Sequence, residues 1–594
     1  MVIINYNVLE THDGYAHLVW GYYWNQQFAQ GQLMPKWFES AFDSLGSCSF
    51  IFYPPLFRSL SLPFSGFYSL PSQLLKGSYV LVILFNALGI FLLARTLFKK
   101  NSLASSLSIF LGIFNPYLII SLLKRGAAAE IMAMALLPWL MLVLYRALNK
   151  NSLLTYLPVS LVFSALFVSH IPSCVTILSS YLIGTLSLVI FRKMKLKIAL
   201  FYLIIPLGIG LLTSAFYVMP VIADMDLVSA GGLQPYHNRL LVQGFLDFKL
   251  RLSPNPWEQT LVKAFALNGL ILLATLIIGR PWQKNTTKNQ ILTLQMVMVA
   301  FALFMMTDLS LWVSETISVF QKIQFPWRFL AVSSSLCPYL FGYTVETATE
   351  KFPILKKKVI ILAFCTALFI VVYKSANLYL LKFDLTSLNN VDNLIVNRTE
   401  ISQELLAKKE YDQEVNYYFI SLDRRKFYLN NDFQYIQTDV GEYLPKTVSQ
   451  DNWVDPGEKG RGRKLPPIYD KKVKLMEGKG QVSVQSWTPG KREVSISNST
   501  NIIVNLKTFY YPGWSIQVTP PLKDIEQRDF FLPSENGLMQ LQLPPGNYQV
   551  KIWYQGTMAE RLGIIVSLIS IVSLLFLLSK GFRESNTNIF KKFT

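Results

Sequence analysis

Apolar runs as long as a lipid bilayer is thick recur along this chain, and no other feature limits its fold as strongly. They lie near 77–98, 102–121, 131–148, 152–170, 173–191, 198–222, 261–279, 290–307, 329–345, 359–376 and 562–579. About 20 apolar residues let a helix cross the hydrocarbon layer. With 594 residues, 52% hydrophobic and 15% charged, the chain carries more apolar surface than a water-soluble core hides. The expectation is a polytopic α-helical membrane protein of about 11 spans.

Charge placement supplies the topology. A net charge of +19 would direct attention to nucleic acid in a soluble chain, but here Lys and Arg gather in alternate short loops, as cytoplasmic loops do. The basic loops are RTLFKK ending at Lys100, RALNK ending at Lys150, FRKMKLK ending at Lys197, GRPWQKNTTK ending at Lys288 and KFPILKKK ending at Lys358, with the tail from Lys580. Placing them in the cytoplasm puts 1–76, the turns near 125 and 171, 223–260, 308–328 and 377–561 outside. Nucleic acid is not an expected partner. MVIINYNV is too short for a cleavable signal, yet the charges demand an outer N-terminus. Two expectations stand side by side: a further helix upstream of this start, or unaided translocation of a short, weakly charged tail.

The chain divides into four domains: an outer first loop with a juxtamembrane helix over 1–76, a transmembrane core over 77–376, an outer β-rich domain over 377–561, and a last helix with a cytoplasmic tail over 562–594. The β-rich reading rests on GQVSVQSWTPGKREVSISN, NIIVNLKTFYYPGWSIQV and GLMQLQLPPGNYQVKIWYQ, where apolar residues alternate between Gly, Pro and Asn boundaries. DPGEKGRGRKLPP, ahead of them, reads as an exposed loop or linker. Cys48, Cys174, Cys337 and Cys365 stand singly with no CxxC spacing, so they are expected to be packing residues.

All four histidines, His12, His17, His170 and His237, fall on the outer side of this topology. A membrane enzyme builds its polar cleft at helix ends that face one compartment. In ETHDGYAHLVWGYYW, Tyr15, Leu18, Val19 and Tyr22 follow helical spacing, with Trp20 and Trp24 as interfacial anchors, so a helix floating at the lipid boundary is expected. On it Asp13 and His17 are one turn apart and able to converge on one ligand. HDxxxH is a weak metal signal, and Mg²⁺ or Mn²⁺ is left open, with Asp13 as its candidate ligand.

LLKRGAAAEIMAMALLPW puts Lys124, Arg125 and Glu130 between two helices, where small residues let chains approach closely and a guanidinium can grip phosphate. An ordinary solvated turn explains the same residues. VSHIPS places His170 at a helix end, LQPYHNRL supplies His237 and Arg239, and FQKIQFPWRFL sets Trp327 and Arg328 where a helix re-enters the membrane. Arg328 meets lipid phosphate there or merely snorkels.

Taken in order, THDGYAH, GQLMPKW, FYPPL, KRGAAAE, SHIPS and IQFPWRF resemble the 6-pyruvoyl-tetrahydropterin-synthase-related bacterial membrane family. That family is in turn similar to YfhO-type proteins and the glycosyltransferase C (GT-C) superfamily. EYLP, FYYPGWSIQV and the final helix resemble the C-terminal part of YfhO-type chains.

The resemblance implies a GT-C-like core in the bacterial plasma membrane, with an active site on the extracytoplasmic face. Sugar would pass from a polyprenyl-phosphate donor to an acceptor in the cell envelope, a glycan, lipid or protein. It also implies an essential acid in the first outer loop, here Asp13, to take the acceptor's proton. Arg125 first and Arg328 second would stabilise the leaving phosphate, with His17 and Glu130 orienting the acceptor or Asp13 and Lys124, His170, His237, Arg239 and Trp327 lining the substrate; a structural role fits His170 equally well. A single well-placed acid predicts inversion at the anomeric carbon. The family normally carries a helix ahead of its first outer loop, which is the further upstream helix expected above. A lipid or polysaccharide transporter, or a non-catalytic scaffold, fits the same composition, although the helix interiors hold few of the charges that ion-coupled transporters keep there.

Overall fold

A computed structural model describes residues 11, 13–67, 70–150, 156–229, 256–321, 323, 325–351, 443–448, 471–522 and 526–593. Its helices are α1 (Gly14–Ala29), α2 (Pro71–Leu97), α3 (Ser102–Arg125), α4 (Ala128–Lys150), α5 (Tyr156–Phe167), α6 (Ile171–Ile190), α7 (Leu196–Thr213), α8 (Ala215–Ala223), α9 (Pro256–Ala274), α10 (Thr287–Phe304), α11 (Leu330–Lys351) and α12 (Met558–Phe593). Among the described residues, seven helices are long and apolar enough to cross a membrane. An eighth counts if Thr287–Phe304 and Asp308–Thr316, bent by 93°, form one span.

Most of the apolar runs read from the sequence become helices at the expected places. The run at 152–170 gives only the short α5, and 359–376 lies outside the described residues. The run at 329–345 becomes α11, which is not among the candidate spans because polar residues interrupt it. Asn268 donates from Nδ2 to the Ser333 and Ser334 hydroxyls at 3.0 and 2.9 Å, inside a sheath of α3, α4, α9 and α10. Breaks are set locally: Asn101 caps α3 by accepting from the Ala104 N–H at 3.0 Å, and Asn115 ahead of Pro116 restarts it after a kink. The last helix returns to the bundle against α8, so closely that a Cβ at Gly563 would lie 2.5 Å from the Ala215 carbonyl.

Before that helix the chain forms eight strands: β1 (Val473–Glu477), β2 (Gly480–Thr488), β3 (Lys491–Asn498), β4 (Ile502–Phe509), β5 (Trp514–Thr519), β6 (Phe531–Pro533), β7 (Leu538–Leu543) and β8 (Gly546–Tyr554). They make two antiparallel sheets, ordered β1-β4-β7-β6 and β2-β3-β8-β5. Alternation buries Val494 and Ile496 of β3, Val504 and Leu506 of β4, and Val550 and Ile552 of β8 in one core. The expected β-rich unit is thus a β-sandwich.

The sandwich is fastened to the first loop by aromatic and ionic contacts. Trp37 packs against Tyr511, Trp514 and Tyr554, and the Phe509 N–H donates to the Leu45 carbonyl at 2.8 Å. Arg492 is 0% exposed, held between Trp487 and Trp514 with its Nη2 2.5 Å from Glu39 Oε1. A buried guanidinium stripped of its carboxylate costs about 3–5 kcal/mol. Glu39→Ala is therefore expected to release the sandwich from the first loop. Hydrogen exchange would read this as faster exchange across Trp37–Gly46 and β3 together, and unchanged protection would show the ion pair to be dispensable.

Candidate functional site

The site grows from two turns that meet. One leads from Thr11 into α1, and the other joins α3 to α4 through Arg125 and Gly126. The Asp13 N–H donates to the Arg125 carbonyl at 2.8 Å, and Thr11 Oγ1 accepts from the Gly14 N–H at 3.0 Å. Gly126 has φ +61, and a Cβ there would collide with Thr11 Oγ1. Only glycine allows both that left-handed conformation and that approach. Tyr79 of α2 locks the turn by donating to the Gly126 carbonyl at 3.0 Å.

Below the turn lies a buried charge network. Arg125 Nη1 is 2.8 Å from Glu130 Oε2 and donates to the Tyr117 hydroxyl at 3.1 Å, and that hydroxyl donates to Glu130 Oε1. Glu130 is 1% and Arg125 6% exposed. Arg328, in the turn before α11, is also buried, donating from Nη1 to the Ile323 carbonyl at 2.8 Å. Its Nε has no hydrogen-bond partner among the described residues. Asp13 itself is exposed. Its charge acts on Arg125, Arg328, Tyr53 and Tyr79, so an exposed carboxylate lies within electrostatic reach of buried cations and phenols. Burial first, then this carboxylate, raise the Tyr53 phenol well above its ordinary value, which keeps it a donor.

Several sequence expectations change here. Leu18, Val19, Trp20 and Trp24 are all buried, so α1 is packed inside protein instead of floating at the lipid boundary. Its polar side chains His17, Asn25 and Gln27 are buried as well, each with a hydrogen-bond partner in the protein. Trp24 is no interfacial anchor either: it packs on Phe50 and carries the Arg58 guanidinium over its ring. His17 turns away into an aromatic cage of Trp20, Tyr53 and Phe57, its Nε2 3.3 Å from the Tyr53 hydroxyl. Its link to Asp13 is a backbone one, His17 N–H to Asp13 carbonyl at 3.2 Å.

His170 caps α6 by accepting from the Ser173 N–H at its Nδ1, 3.3 Å away. Lys124 is half-buried in the last turn of α3, and Trp327 stacks on Phe325 beside Arg328. His237 and Arg239 lie outside the described residues, as does Cys365, while Cys48, Cys174 and Cys337 are buried and unbridged. Sequence reasoning missed Tyr117 and Tyr53. The signal for Tyr117 is the Asn115-Pro116 cap that aims it, and Tyr53 sits within FYPPL.

Among the described residues no three His, Cys, Asp or Glu side chains gather as a metal set. Arg125 and Arg328, both within electrostatic reach of Asp13, oppose a divalent cation there, so no step is routed through Mg²⁺ or Mn²⁺.

Burial, then the Arg58 charge, lower the His17 imidazole to about 3, and burial followed by Arg328 lowers His170 to about 3. An unfolded imidazole titrates near 6.5. The stability that comes with the neutral rings is complete above about pH 6.5 and falls by roughly 1.4 kcal/mol per histidine per unit as pH drops toward 3, because only the unfolded chain binds the protons. His17→Phe is expected to flatten this acid limb. Parallel thermal-midpoint profiles for variant and wild type between about pH 7 and 5 would exclude His17 as the group responsible.

Fold and site together define a multi-pass α-helical membrane protein with a β-sandwich inserted before its last helix and a buried charge network under an exposed carboxylate. No family model matches the chain, and no curated protein matches it. Among solved structures it is similar to the crystal structure of ArnT from Cupriavidus metallidurans in the apo state, at 12% identity, over 60% of this chain and 77% of that one, with a TM-score of 0.25. A likeness at that score has no bearing on the activity of this chain.

Proposed function

We propose that the protein is an integral membrane glycosyltransferase of GT-C type. It moves a sugar from a polyprenyl-phosphate donor to a cell-envelope acceptor on the extracytoplasmic face of a bacterial plasma membrane. The observation that carries this reading is the exposed Asp13 carboxylate, tied through its own N–H to the turn that holds Arg125 and within electrostatic reach of Arg328.

In this reading Asp13 takes the proton of the acceptor hydroxyl as its oxygen bonds to the anomeric carbon. The bond from that carbon to the phosphate oxygen breaks, and its electron pair leaves with the lipid phosphate. Arg328, whose Nε has no partner among the described residues, meets that growing charge. Arg125, ranked first from sequence, is engaged by Glu130 and Tyr117 and acts as a positioning residue for the Asp13 turn. Glu130 is held by the same two residues, which leaves Asp13 as the acid of the site and supports inversion. Product of retained anomeric configuration would overturn that last point.

The test is release of free polyprenyl phosphate from polyprenyl-phosphate sugars by the protein in proteoliposomes, with a panel of sugars and envelope acceptors. Translocation of lipid without release would replace the reading with a transporter. Neither activity would leave a scaffold.

A further inference from the structure

We propose that the outer face of the β2-β3-β8-β5 sheet is a binding platform for a neutral oligosaccharide. It carries a cavity of about 750 Å³, within the range of small-ligand sites. The antiparallel register sets its polar side chains in rows: Gln481, Ser497 and Asn547 in one, Ser483, Ser495 and Gln549 in the next, continued by Thr519 of β5. Strands lie about 4.8 Å apart and alternate residues about 7 Å apart along a strand, so the rows form a grid of hydroxyl and amide groups.

The grid is organised across the strands. Ser495 Oγ donates to Gln549 Oε1 at 2.7 Å, and Ser497 Oγ to Asn547 Oδ1 at 2.6 Å. Each serine thus fixes an amide by its oxygen and leaves the amide NH₂ as the donor on offer. A register shift between Val484 and Ser486 bends β2 at the end of this grid.

The chemistry of the occupant is set by charge. In a chain of net charge +19 no residue lining this cavity is charged; charged side chains flank it, Glu493 and Lys551 in the row beyond Ser495 and Gln549 and Lys479 beyond Gln481. A nucleotide, a phospholipid headgroup or an acidic polymer would find no counter-ion there. A neutral polyol, which both donates and accepts through many hydroxyls, matches fixed amides and serines that do the same. The platform does not depend on the reading of the Asp13 site.

The experiment is equilibrium binding of the full-length protein in nanodiscs to cellohexaose, maltohexaose, chitohexaose and mannohexaose, with an oligogalacturonate as the charged counterpart. At least one neutral probe is expected to bind saturably. The double substitution Asn547→Ala with Gln549→Ala should weaken it about tenfold or more without moving the thermal midpoint, since both positions are exposed. Lys551→Ala should leave it unchanged. No saturable binding of any neutral probe at about 1 mM overturns the proposal. So does binding that the double substitution leaves intact, or tighter binding of the galacturonate that Lys551→Ala removes.

Discussion

Asp13→Asn is expected to lower release of polyprenyl phosphate by about 10²–10⁴-fold, the contribution of one positioned general base. The exchange is close to isosteric. It keeps the N–H that donates to the Arg125 carbonyl, and the side chain it alters is exposed and makes no cap bond. Folding should therefore be untouched, and the thermal midpoint is the control. Asp13→Glu keeps the acid but displaces it by one methylene, so partial recovery is expected, because proton transfer demands hydrogen-bond reach of the acceptor. Unchanged release in Asp13→Asn, at an unchanged midpoint, would remove the acid from the mechanism and favour transport or scaffolding.

Glu130→Gln is expected to cost about 3–5 kcal/mol of stability, because it leaves the Arg125 guanidinium buried beside a neutral partner. Thermal unfolding in nanodiscs would show it as a lowered midpoint. Replacing both members, Arg125→Met with Glu130→Leu, should recover much of that loss, since a well-packed apolar pair commonly substitutes for a buried ion pair. Activity should not recover with it. The Arg125 charge acts on Asp13, and removing it alters the environment in which the base works. A double variant that regained both stability and full release would reduce Arg125 and Glu130 to packing.

The apolar runs located most of the long helices because span length and composition are properties of consecutive residues, readable without any partner. The alternation in β3, β4 and β8 was legible for the same reason. Asp13, Arg125, Glu130 and Arg328 stand out in the sequence as residue types of the right chemistry on what reads as one side of the membrane, and the structure brings them into one neighbourhood.

Their division of labour was not legible. Whether a guanidinium is engaged or keeps a free donor depends on what packs around it, and Tyr117, which bonds both Arg125 and Glu130, is aimed by the kink at Asn115-Pro116 just ahead of it. The surroundings of α1 were misread for a related reason. Its spacing fits a lipid-facing helix as well as a buried one, and only the docking of the first loop around it decides between them.

Sequence by itself determined which segments are helices, which are strands and where the candidate charges lie, since each depends on neighbours along the chain. Tertiary structure alone decided that Glu39 would meet Arg492 across 453 residues, that His17 would be a buried neutral ring, and that two rows of serines and amides would line one cavity. Such contacts depend on burial and register, and both are set when distant segments pack.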